Sequence, residues 1–225
     1  MHNTEVDSSD GFSDFLRGLG WVVDTESHQR VGGFNGSLDH RLQDRMLYFG
    51  SSSCEVAFHV LPWMPLKDDD AQQIERKRHI GNDAVHIVWC EHPNGYDVST
   101  FVSEVTDVFI VIIPLNETLV QVQVFCRPPR NKGERMITFG PLQDGAVVRR
   151  ALVGMLARET AVNAIDALRS SLAGSRRAAG QGQEGLIEAN GQSHPAFFRR
   201  KQIQEMFERL GNFVVGGELC AELYR

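Results

Sequence analysis

Residues 76–89 read RKRHIGNDAVHIVW, and the rest of the chain is most simply understood by working outward from them. Arg76, Lys77 and Arg78 run into His79-Ile80-Gly81-Asn82-Asp83, and a β-type apolar run follows at Val85, Ile87, Val88 and Trp89. Upstream, Asp68, Asp69 and Asp70 precede Ala71-Gln72-Gln73-Ile74-Glu75. Acids in a first turn and bases in a last turn complement the helix macrodipole, so a helix is predicted over about 69–80. Gly81 is the expected left-handed stop, and residues 84–90 are the expected strand. Asn82 and Asp83 then stand where helix end meets strand start. A short polar side chain held between two rigid elements can be aimed outward.

Before this stretch, Phe12, Phe15, Leu16 and Leu19 fall at helical offsets, with Asp10 or Ser13 as candidate caps and Gly20 as the stop. Trp21-Val22-Val23 reads as a strand. Val31-Gly32-Gly33-Phe34-Asn35-Gly36 is glycine-rich, but Ser37-Leu38 follows where a phosphate-binding P-loop needs Gly-Lys-Ser/Thr. The better reading is a turn that requires positive φ, and the chain is not expected to hold a nucleotide of its own. Met46 to Phe49 and Cys54 to Val60 read as strands. In the second, Val56, Phe58 and Val60 alternate with Glu55, Ala57 and His59, so one buried face is expected, with His59 half-exposed on the other.

Beyond it, Val108 to Ile113 is apolar at every position, the pattern of a central strand covered on both faces. Residues 119–125 alternate instead, and Asn116-Glu117 between the two runs predicts an antiparallel hairpin. Phe139-Gly140-Pro141-Leu142 leads to a helical pattern through Leu152, Met155, Leu156, Ile165, Leu168 and Leu172, with Gly174 as its expected stop. Composition then shifts to Gly, Ser, Gln, Arg and Ala, a linker signature over 174–194. Residues 195–225 recover one amphipathic helix through Phe197, Phe198, Ile203, Met206, Phe207 and Leu210, followed by a tail. The main domain is thus expected over 10–173, an α/β fold with a central mixed β-sheet flanked by helices.

With 225 residues and 42% apolar content the chain can bury a sizeable core, and a net charge of −6 argues against a nucleic-acid footprint. Cys54, Cys90, Cys126 and Cys220 form no CxxC pair, which suits reduced thiols and a cytoplasmic setting. The opening residues lack the apolar run of a secretory leader. The run from Val108 to Pro114 is too short to span a bilayer. His79, His86, His92 and Cys90 do not have structural-zinc spacing, so no metal is expected. No G-x-S-x-G elbow is present.

RKRHIGND followed by an apolar strand resembles the signature of the Rap/Ran-type GTPase-activating domains, the family of the Rap activators, tuberin and the catalytic α subunit of the Ral activator. LGWVVD, VGGFNG, EVAFHVLPWMP, VHIVWCEH, DVFIVIIPL and FGPLQDGAVV resemble family segments in the same order, covering roughly residues 12–172. HIVWCEH, DVFIVIIPL and FGPLQDGA look most like the Ral activator.

The resemblance implies a Rap-GAP-type fold that speeds GTP hydrolysis by a bound Ras-superfamily small GTPase, Ral-like in preference to Rap- or Rheb-like. It implies an asparagine supplied in trans, here Asn82, whose carboxamide can orient the attacking water. His79 would support the helix or the contact. Arg76, Lys77 and Arg78 would face an acidic GTPase surface. Asp83 would hold Asn82 or the helix end, and Arg158 on the late helix would add a contact. No cofactor is implied, since GTP and Mg²⁺ are carried by the GTPase. Other subunits of a larger complex are possible partners, nucleic acid is not, and no transmembrane segment is expected. Several of these residues have a second reading: a helix C-cap for Asn82, a satisfied core histidine for His79, a solvated helix end for Arg76, Lys77 and Arg78. For the chain as a whole, the alternative is a non-catalytic GTPase-binding or scaffolding module.

Overall fold

The computed structural model of the chain describes residues 9–38, 43–65, 76, 80–101, 103–128 and 137–178, with side chains placed up to residue 170. Of these described residues, all but Gly50–Glu55 belong to one compact unit, and those six belong to a second. In the second unit the described residues form a serine turn, in which Ser51 Oγ accepts from the Cys54 amide at 3.1 Å.

The first unit begins with α1, Asp10–Leu19, capped by Ser9, whose hydroxyl accepts from Phe12 N. The cap lies one residue before Asp10 and four before Ser13, the two candidates read from the sequence. Phe15, Leu16 and Leu19 are buried as their spacing predicts. Strand β1, Trp21–Asp24, runs into a short helix α2, Thr25–Arg30, that apolar periodicity does not mark. Its signal is a cap: Asp24 Oδ1 accepts from Ser27 N at 2.8 Å. Strands β2, Arg45–Gly50, and β3, Glu55–Phe58, complete a three-stranded sheet in the order β1-β2-β3, with β1 and β2 antiparallel.

A second sheet has the order β4-β5-β6-β7. Strand β4, Val85–Trp89, is parallel to β5, Val108–Pro114. Strand β6, Leu119–Cys126, returns antiparallel, and β7, Val147–Arg149, pairs antiparallel with β6. The mixed sheet expected from the sequence is therefore one of two. β7 escaped the sequence reading because three residues at a sheet edge, two of them exposed, leave almost no pattern. Residues 108–112 are buried on both faces, as an unbroken apolar run requires. The β5–β6 turn is tied by Asn116, whose side-chain oxygen accepts from Thr118 N and Leu119 N, both at 2.9 Å.

Helix α3, Arg150–Ala178, packs on α1 and on the four-stranded sheet. The contact with α1 is close: a Cβ on Gly154 would lie 2.6 Å from the Gly18 backbone. The helix runs through Gly174, where a stop was expected, since a glycine inside a helix costs only about 1 kcal/mol. The main core joins Phe15, Leu16, Leu19, Val108, Ile110, Ile112, Val120, Val122, Val153 and Ala157. A second cluster of Leu38, Met46, Tyr48 and Met64 receives Ala57. Strand β3 is thus packed from both sides, Phe58 against the main core and Ala57 against the second cluster, in place of the single buried face expected.

Candidate functional site

Of the helix predicted over 69–80, Arg76 and Ile80 are described and both are helical. Lys77, Arg78 and His79 lie outside the described residues, as do the linker and tail beyond 178. Gly81 and Asn82 form the turn that follows, and β4 starts at Val85. Gly81 is not among the glycines found with positive φ, so the helix leaves by an ordinary turn instead of the left-handed stop expected.

This corner is fastened carbonyl by carbonyl. Ile80 O accepts from Asp83 N at 3.1 Å and from His86 Nε2 at 2.8 Å. Gly81 O accepts from Ser103 Oγ at 2.7 Å. Asp83 O accepts from Thr106 Oγ1 at 2.9 Å, and Ala84 O from Asp107 N and Val108 N at the head of β5. Arg127, just past β6, braces the donors in turn: its guanidinium donates to Ser103 O and Glu104 O and lies 3.8 Å from Asp107 Oδ1. Between these anchors sits Asn82, exposed, with no hydrogen bond from its carboxamide to any described residue. A capping asparagine would spend its side chain on the helix end; this one leaves its acceptor and two donors available.

Asp83 turns inward. Its Oδ2 lies 2.8 Å from His59 Nδ1, while His59 Nε2 lies 2.9 Å from Gly36 O. The His59 side chain is only 10% exposed, against the half-exposed position expected of it. Burial works against the imidazolium, but the Asp83 hydrogen bond and charge and the Gly36 carbonyl outweigh it, and the pKa stands above the usual 6.5. His86 differs. A carbonyl can only accept, so Nε2 carries the proton that Ile80 O receives. Burial between Phe101 and Phe109 outweighs that bond and the Asp83 charge, and its pKa falls below 6.5.

The glycine-rich loop that supplies Gly36 O is a set of turns with positive φ at Gly32, Gly36 and Ser37, as read from the sequence. His28 Nε2 meets Phe34 O at 3.1 Å, and Gln29 and Asn35 side chains both donate to Leu38 O. A side chain at Gly36 would be strained by its φ of 58° and would press on Ala57 Cβ at 2.8 Å.

Two cations expected at a partner surface are interior. Arg76 is 4% exposed, and its guanidinium donates to Met64 O, tying the helix to the chain that follows β3. Arg158 is 9% exposed; Nη1 donates to Leu19 O at 2.9 Å and Gly18 O at 3.3 Å, and the guanidinium lies over Phe49. It closes the last carbonyls of α1, where a cation is favoured. Sequence reasoning took both for surface charge because pattern alone does not reveal a carbonyl waiting inside. His59, Ser103, Thr106 and Arg127 were missed for a related reason: each acts on a partner about 20 residues or more away.

The chain matches a family model described as Rap/ran-GAP over residues 1–204. It is 38% identical over 169 residues to Ral GTPase-activating protein subunit alpha-1 of Homo sapiens, covering 74% of this chain and 8% of that protein. It is 35% identical over 173 residues to the probable Rho GTPase-activating protein CG5521 of Drosophila melanogaster, covering 76% of this chain and 8% of that one. The chain therefore spans less than a tenth of the length of these relatives. Among solved structures, that of the TSC2 GAP domain matches with a TM-score of 0.59 and 27% identity, covering 78% of this chain and 92% of that one.

Proposed function

The chain belongs to the Rap/ran-GAP family, and from that membership we propose that it stimulates GTP hydrolysis by a Ras-superfamily small GTPase, with Asn82 inserted in trans. Ral-like GTPases are the preferred substrates, with Rap- and Rheb-like ones next, because the Ral activator subunit is among its relatives at 38% identity. The observation that supports the reading is the corner itself. Asn82 is exposed and unbonded among the described residues, between backbone carbonyls that are each tied down.

Rigid mounting of a free side chain is what trans catalysis demands. Phosphoryl transfer in GTPases rests on positioning and charge stabilisation, with little covalent work for the protein. An amide can hold the attacking water by accepting one of its protons while donating to a neighbouring oxygen. The charge of the transferring phosphoryl group is then met by the GTPase and its Mg²⁺. Nothing in this role needs a nucleotide site in the chain, in keeping with a glycine loop built as turns.

The test is single-turnover GTP hydrolysis by Ral-, Rap- and Rheb-type GTPases, with the wild-type chain and Asn82→Ala. Acceleration on one GTPase, abolished by the variant while binding persists, supports the asparagine role and names the substrate. Tight binding without acceleration on any of them favours a scaffolding module in its place. Equal acceleration by both proteins removes Asn82 from the chemistry.

A further inference from the structure

The proposed mechanism needs Asn82 aimed, yet its side chain makes no bond to a described residue that aims it. Its neighbour does. Asp83 shares the turn and is held through its carboxylate by a ring on a different segment, His59, which is itself held by the glycine loop. Both ring nitrogens face atoms that only accept: Asp83 Oδ2, a carboxylate oxygen at 2.8 Å, and Gly36 O, a backbone carbonyl at 2.9 Å. A neutral imidazole has one N–H and can satisfy only one of them; the imidazolium satisfies both. Leaving either acceptor unmatched in a partly buried site is unfavourable.

We propose that His59 is a positioning residue for GTPase activation: as an imidazolium bridging Gly36 O and Asp83 Oδ2, it fixes the turn that presents Asn82. The inference rests on the GTPase-activating reading given above. It also gives the glycine-rich loop a purpose. That loop is a pier, pinned by His28, Gln29 and Asn35, from which His59 reaches the corner.

Among the described residues, the groups facing His59 support the charged form. From the corner comes Asp83. From β4 comes His86, which is kept neutral by burial and by its place between two phenylalanines and so adds little repulsion. The glycine loop presents a carbonyl. The raised pKa of His59 sets the sign of a pH effect. The bridge is intact below the folded-state pKa and is lost as pH rises through it, so the acceleration over the GTPase alone declines on the alkaline side of that value.

The decisive variants separate the two arms of the bridge. An asparagine at 59 can place its amide where Nδ1 lies and keep the bond to Asp83. A glutamine can reach the Nε2 position and keep the bond to Gly36. We expect His59→Gln to lower the saturating single-turnover rate by roughly 10²-fold, the scale of a small misplacement, with the half-saturating concentration unchanged. His59→Asn is expected to recover most of that rate and to flatten the alkaline decline. A purely structural histidine gives the opposite pattern: both variants lose folded protein equally, and the surviving molecules keep the wild-type rate and pH profile. That result overturns the proposal.

A second measurement stands apart from activity. Ring-nitrogen NMR of the wild-type chain across a pH titration is expected to show two protonated nitrogens on His59 below its raised pKa, with the Asn82 amide signal titrating in step with the ring. A neutral His59, or Asn82 signals indifferent to its titration, overturns the inference even if the chain activates a GTPase. A chain that accelerates no GTPase but shows the coupled titration loses the functional reading and keeps the positioning link.

Discussion

Strand β5 and the corner at 80–84 are neighbours, joined where the amide of Val108 donates to Ala84 O, yet they are held by opposite means. In β5, Val108, Ile110, Val111 and Ile112 are 0% exposed and belong to clusters of apolar side chains. Their stability comes from removing area from water, a force without direction. The corner has almost no apolar burial of its own. It is fixed by directional bonds from Ser103, Thr106, His86 and His59 to defined atoms. A non-directional force builds a body that tolerates exchange of similar shapes. A set of hydrogen bonds fixes one geometry, and each bond fails singly. The division suits a domain whose proposed catalytic atom sits on a turn and must be placed to within a fraction of an ångström.

The contrast is sharpest at Asn82. Asn82→Ala is expected to abolish acceleration of GTP hydrolysis, a loss of roughly 10³- to 10⁵-fold for an in-trans catalytic group. It is also expected to leave thermal stability unchanged within about 0.5 kcal/mol, because the side chain is exposed and makes no described bond. Single-turnover kinetics beside chemical denaturation checks both halves. The reverse signature belongs to β5. Ile110→Ala, at a site with 0% exposure, is expected to cost about 2–5 kcal/mol of stability while folded molecules keep their activity at saturation. A full loss of rate in well-folded Ile110→Ala would show that the core and the corner are not separable.

Smaller effects probe the boundary between the two. Thr106→Val keeps shape and removes the hydroxyl that donates to Asp83 O, at a residue 1% exposed. A cost of about 1–3 kcal/mol is expected from the carbonyl left unmatched, together with a reduced saturating rate, since the corner loosens. Arg158→Met tests the opposite assignment. It should cost a similar or smaller amount, about 1–2 kcal/mol, by freeing Gly18 O and Leu19 O at the end of α1, and leave GTPase activation intact. Loss of GTPase binding in a stable Arg158→Met chain would return Arg158 to the partner surface.

Most of the body was legible in the sequence. The helical offsets of Phe12, Phe15, Leu16 and Leu19, the unbroken run through β5 and the alternation of β6 each state their burial, because periodicity is a direct projection of solvent contact. β7 and α2 were not legible, being three and six residues long. The corner was half legible. Its position between helix and strand, and the outward place of Asn82, followed from the order of residues. That Arg76 and Arg158 turn inward to carbonyls, and that His59 is a clasp and not a half-exposed strand residue, did not.

The sequence by itself determined the α/β body, the hairpin of β5 and β6, the turn character of the glycine loop and the family signature at 76–89. These depend on local spacing and on residue types adjacent in the chain, where the physics is short-ranged. Only the tertiary structure decided the split into two sheets, the edge pairing of β7 and the hydrogen-bonded bridge from Gly36 through His59 to Asp83. That bridge joins residues 23 and 24 positions apart, and a hydrogen bond carries no signature in the chain until both ends have been brought to within 3 Å.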